Sequence, residues 1–222
     1  ISHILRLAAL LSLLLGLSAY AEARVVGPQV SSVQSLAGAS PTVVVANGTS
    51  TATMTVTLLD AALTPIAGQA VEFSSDGTNN FLTQPTAMTD AMGVVMGTIA
   101  STKAELKTIT VTVDPLGAAI LLDAQPTIDF IGDLSNVSPS LSSVAGAPTV
   151  NLVADGAMAS TISITVIDAL SNPVPGATVE IAMTGSGNTI TQPALTDAAG
   201  MTSGTVASTT ADPNPGNNTA TA

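Results

Sequence analysis

The sequence predicts an all-β protein: two tandem antiparallel β-sandwiches, the second truncated, behind an N-terminal signal peptide. Three observations predict it. The segment "TLLDAALTPIAGQAVEF" at 57–73 returns as "TVIDALSNPVPGATVEI" at 165–181, with its Asp, Pro, Gly and Val-Glu in the same places. Within each copy apolar and polar residues alternate with period two, as in a strand that buries one face. Gly, Pro, Asn and Asp break these runs about every ten residues, the spacing of turns between short strands.

The first 23 residues, "ISHILRLAALLSLLLGLSAYAEA", place Arg6 before an apolar run from Leu7 to Ala19. They end in two A-x-A sites, Ala19-Tyr20-Ala21 and Ala21-Glu22-Ala23. This is the layout of a secretory signal peptide over 1–23, cleaved after Ala21 or after Ala23. Its apolar core falls short of the ~20 residues that a membrane-spanning helix needs. The expectation is an exported protein with no membrane span in the mature chain. It would lie at the cell surface or outer membrane, in the medium, or in the periplasm.

The first sandwich is expected over 24–133 and the second over 134–222. Ala37-Gly38-Ala39 matches Ala145-Gly146-Ala147, and Asn47-Gly48 matches Asp155-Gly156. Asp60, Pro65, Gly68 and Glu72 match Asp168, Pro173, Gly176 and Glu180. Thr83-Gln84-Pro85 and Thr89-Asp90 match Thr191-Gln192-Pro193 and Thr196-Asp197, and Ala100-Ser101-Thr102 matches Ala207-Ser208-Thr209. A period near 100 residues is the size of a whole small domain. In "TATMTVTL" the threonines at 51, 53, 55 and 57 take one face, while Ala52, Met54, Val56 and Leu58 take the other. Ile162, Ile164 and Val166 keep the same phase, so one face is core and the register is set. Val71 and Phe73 flank an outward Glu72, as Val179 and Ile181 flank Glu180, and Ile99 and Val206 lie in a later run. Asp168 closes a strand and bonds to turn amides, Pro173 and Pro175 stiffen the connection, and Gly176 takes an angle other residues resist. No helix is expected outside the leader.

Composition narrows the function classes. Hydrophobic residues make up 46% of the chain but aromatics only 2%, so stability must come from many small aliphatic contacts. The formal charge is −11, and the basic residues are Arg6, Arg24, Lys103 and Lys107 alone. Nucleic acid is not an expected partner, because phosphates need clustered Lys and Arg. There is no cysteine, which removes disulfides, thiolate metal sites and a cysteine nucleophile. The one histidine, His3, lies in the leader, so no Ser-His-Asp or His-metal arrangement is available after cleavage. Trp is absent and Tyr20 is the sole tyrosine, which leaves no stacking platform for sugars. No catalytic, cofactor-binding or metal-binding residue is therefore assigned, no cofactor is expected, and the chain is not read as an enzyme. Asp168 is read as a turn residue in preference to a catalytic carboxylate. Asp123, Asp129 and Asp133 are read as a solvated acidic hinge in preference to a cation site.

The motif D-x-x-x-N/T-P-hydrophobic-x-G-x-x-V, followed by T-D-x-x-G and then S-T, resembles the bacterial immunoglobulin-like repeats of the invasin/intimin type (group 1). "TVVVANGTSTATMTVTLLD" and "TVNLVADGAMASTISITVID" carry the opening of that pattern, and "TDAMGVV" and "TDAAGMT" carry its later turn. "TIDFIGD" at 127–133 resembles a closing strand and has no counterpart in the second copy, so the natural protein is expected to continue. The family often has Gly before the Asn-Pro, where this chain has Leu63 and Ser171. The resemblance implies immunoglobulin-like sandwiches stacked end to end, as a spacer in the stalk of a surface adhesin that mediates cell adhesion. The implied partners are neighbouring immunoglobulin-like domains of the same chain, with a surface receptor met through a domain outside this stretch. The family's membrane β-barrel and receptor-binding tip are not in these residues. The alternative is an accessory region of a larger exported enzyme whose catalytic domain lies beyond residue 222. A short junction near Asp133–Asn136 is expected to set the two domains end to end.

Overall fold

The computed structural model describes residues 29–114, 116–149, 152–211 and 220–222. The signal peptide expected over 1–23 lies outside the described residues. In the first copy nine strands follow in order: β1 Leu36–Ser40, β2 Val43–Val45, β3 Ala52–Thr57, β4 Val71–Ser75, β5 Asn80–Thr83, β6 Val94–Ser101, β7 Leu106–Val113, β8 Ile120–Leu121 and β9 Thr127–Ile131. One sheet has the order β1-β3-β6-β5 and the other β2-β9-β7-β4, with the short β8 on β7. Alternation decides what lies between them. Ala52, Met54 and Val56 of β3 are buried while Thr53 is exposed, and Phe73 of β4 is buried beside an exposed Glu72. Ile109, Val111 and Val113 of β7, with Ile128 and Phe130 of β9, close the core from the second sheet.

One pairing departs from the antiparallel expectation. The chain leaves β1 at Ser40, crosses to the other sheet, and β2 runs parallel to β9 through Val43↔Asp129 to Val45↔Ile131. A strand that changes sheets without reversing direction must meet its new neighbour in whatever sense that neighbour runs. Alternation does not encode that sense.

The second copy repeats the first sheet in the same order. Its strands are β10 Ser143–Ala147, β11 Ala159–Thr165, β12 Ala182–Met183, β13 Asn188–Thr191, β14 Met201–Ser208 and β15 Ala220–Thr221. β10-β11-β14-β13 reproduces β1-β3-β6-β5, while β12 and β15 form a facing two-stranded layer. Ile162, Ile164, Val166, Val174, Ala177, Ile181 and Val206 make its core. Between the copies lies a single 3-10 turn, Leu134–Asn136, capped by the Asp133 side chain. It is the one helical element among the described residues, and nothing in the alternation announced it.

The repeated punctuation is repeated bonding. The Asp60 carboxylate accepts from the amides of Ala62 (2.8 Å) and Thr64 (2.9 Å), and Asp168 accepts from Leu170 (2.9 Å) and Asn172 (2.8 Å). Asp90 and Asp197 do the same for their own turns. Thr89 Oγ1 donates to the Ile66 carbonyl at 2.8 Å, and Thr196 Oγ1 donates to that of Val174 at 2.7 Å. The Gln84 amide group bonds both backbone groups of Phe73, and Gln192 does so for Ile181, each replacing a missing strand neighbour. Leu63 and Ser171, where the family often has Gly, adopt φ of 64° and 66°. That is the left-handed region in which a side chain is costly and glycine is not.

Candidate functional site: the joint between the domains

The D-x-x-x-N-P turn of the second copy sits against the far end of the first. Asn172 is fully buried there. Its Oδ1 accepts from the Ala104 amide at 2.8 Å, and its Nδ2 donates to the Thr102 carbonyl at 3.0 Å. The same Nδ2 also lies 3.1 Å from Asp168 Oδ2, which accepts from the Asp133 amide at 3.0 Å. Both oxygens of the fully buried Asp168 carboxylate are thus used, one within the turn and one across the joint. Burial pushes the Asp168 carboxyl up. The hydrogen bonds from the amides of Asp133 and Asn172, the Asn172 side chain and the Leu170 amide outweigh it and hold the group below the usual range.

Backbone geometry closes the joint. Gly132 is buried, and a Cβ there would run into the carbonyl of Pro173 and lie 3.1 Å from the Val174 Cα. After the 3-10 turn, Val137 forms an antiparallel bridge with Asp168, Ser138 N donates to the Ile167 carbonyl at 2.8 Å, and Ala169 N donates to that of Asn136 at 3.0 Å. Ser142 Oγ accepts from the Ile167 amide at 3.0 Å, as Ser35 Oγ accepts from that of Leu59. The lead-in is therefore part of the repeat, a point the paired serines signalled and the sequence reading passed over.

Asp168 does the turn work the sequence assigns to it, and it also reaches the other domain. The acidic residues expected as one solvated hinge have separate places. Asp123 and Asp129 are exposed, whereas Asp133 is half-buried and its Oδ1 takes the Ser135 amide at 2.9 Å. Among the described residues no group of three His, Asp, Glu or Cys is placed to hold a metal ion. Nor is any helix there long and apolar enough to cross a membrane. Lys107 is a residue the sequence reading missed. Its side chain is completely buried, with Nζ 2.6 Å from Glu105 Oε1, 2.8 Å from the Thr78 carbonyl and 5.8 Å from the Phe130 ring centroid. Glu105, bonded first by the Lys107 ammonium and then by the Thr78 amide, is held below the usual glutamate range.

Comparison with known proteins agrees with this fold. Among solved structures, InvD of Yersinia pseudotuberculosis is similar at 24% identity and a TM-score of 0.66, over 79% of this chain and 49% of that one. Invasin, described as a bacterial integrin-binding protein, gives 24% identity and a TM-score of 0.65, over 83% of this chain and 36% of its own. The Escherichia coli adhesin FdeC gives 18% and 0.55, over 81% of this chain and 57% of its own. The chain thus spans only about a third to somewhat over half of these relatives. A search of curated protein sequences returned no match. The model of the bacterial Ig-like domain (group 1) matches residues 34–131 and again 143–222. With most of its length covered by these two successive matches, the chain belongs to the bacterial Ig-like domain (group 1) family.

Proposed function

We propose that the chain is a non-enzymatic spacer of an exported bacterial surface protein, two immunoglobulin-like domains of an adhesin stalk, with boundaries at 24–133 and 134–222. The observation that carries this reading is the joint. A fully buried asparagine spends its amide group on the backbone of the preceding domain, which fixes one sandwich relative to the other. A spacer needs that fixed relation, whereas a reaction would need a cleft with convergent reactive groups. The likeness to invasin, an integrin-binding protein, and to the adhesin FdeC supports a place at the cell surface in adhesion. In this reading the immediate partners are neighbouring immunoglobulin-like domains, and receptor contact belongs to a separate domain of the same protein.

Small-angle scattering on residues 24–222 tests it. A compact body of that length would have a radius of gyration of about 16 Å. A clearly larger value with the profile of a rod is expected; a value near that of the compact body would refute the spacer.

A further inference from the structure

We infer that the fifth residue of the D-x-x-x-N/T-P turn selects whether an immunoglobulin-like domain of this chain docks on the one before it, and that Asn172 is the docking residue. The corner Thr102–Ala104 of the first domain is a site for that partner. It offers one backbone carbonyl and one backbone amide, spaced for a primary amide that donates to one and accepts from the other.

The two copies supply the comparison. Their turns are alike in backbone bonding: Asp60 N donates to the Thr64 carbonyl at 3.0 Å and Asp168 N to that of Asn172 at 2.9 Å. Leu63 and Ser171 share the left-handed conformation. The turns differ in what surrounds the fifth residue among the described residues. Thr64 is exposed, in a run that is exposed from Ala61 to Pro65. Asn172 is completely buried, with both amide atoms bonded across the joint. A threonine hydroxyl sits one bond nearer the backbone and presents one oxygen where the asparagine presents two separated atoms. It therefore satisfies the turn and does not span the joint. Thr64 keeps the turn's backbone bonds, so threonine is compatible with the turn, and Asn172→Thr tests docking apart from turn formation.

This inference rests on the spacer reading, and one experiment separates the two. The chain has no cysteine, so Ala87→Cys and Ala194→Cys, at exposed positions in the two domains, give unique sites for a spin-label pair. The protein is prepared from Arg24 onward, without the expected leader, and the interdomain distance distribution is measured by double electron–electron resonance. A single narrow distribution is expected with Asn172 in place, and a broadening of at least twofold in Asn172→Thr. Gly132→Ala, whose Cβ would push on the Pro173 carbonyl while the Asn172 side chain is kept, should broaden it likewise. A broad distribution before any substitution overturns the rigid spacer and the inference with it. A narrow one that survives Asn172→Thr overturns the inference alone. Loss of the second domain's circular-dichroism transition in Asn172→Thr also overturns it, by making the residue a folding determinant.

Discussion

Lys107 shows how a single charge is accommodated in an aliphatic core. Its ammonium is desolvated, while its partner Glu105 keeps about a third of its side chain in water. Removing either partner has unequal consequences. Glu105→Ala strands a buried cation with the Thr78 carbonyl alone, and should cost roughly 2 kcal/mol, less than for a fully interior pair because Glu105 is partly solvated. Lys107→Met keeps the stem's packing and leaves Glu105 to water and the Thr78 amide, so it should cost less than about 1 kcal/mol. Urea unfolding of the two variants checks the order; the reverse ranking would mean that the ion pair itself, and not its desolvation, sets the balance.

At the scale of elements, the strands and their turns were legible because their determinants are local. Period two marks Ala52, Met54 and Val56 as core, and the Asp and Gly positions mark where amides need an acceptor or the chain a left-handed angle. What was not legible depends on distant partners. The parallel β2–β9 pair and the burial of Lys107 involve residues far along the chain, and the double bonds of Gln84 and Gln192 reach back 11 residues, beyond a strand's alternation. Asn172 was the harder omission, because a polar residue in a turn reads as exposed. Its signal was a mismatch between the copies, Asn172 against Thr64, directly before the shared Pro65 and Pro173. The turn also carries a pH dependence. Because the folded Asp168 carboxyl lies below its ordinary pKa, its contribution to the joint is complete above that ordinary value, near pH 3.9, and is lost as pH falls through the lowered one. Acid titration followed by the same interdomain distances should show broadening only on that acid limb, and none between pH 5 and 8 by the same linkage.

At the scale of the whole molecule, the two domains are unequal. Among the described residues the first core holds 17 that are buried, including Phe73 and Phe130, and the second holds 7 without an aromatic among them. A cleft lined by Val144, Ile164, Val166 and Val179 lies in the second domain, whose facing layer has two strands among the described residues. With about 1.5–3 kcal/mol contributed by each fully buried large aliphatic, the second domain should unfold first. Calorimetry should resolve two transitions, and hydrogen exchange should assign the lower one to residues 143–208; a single shared transition would mean the joint couples the domains more tightly than their cores differ. The joint's own contacts have one more consequence. The groups that bridge it are a neutral side-chain amide, peptide carbonyls and amides, and one carboxylate shut away from solvent; among the described residues no cation meets an anion there. Dissolved ions screen exposed charge pairs and leave such contacts nearly untouched. A joint built in this manner keeps its bearing in fresh water and in brine alike.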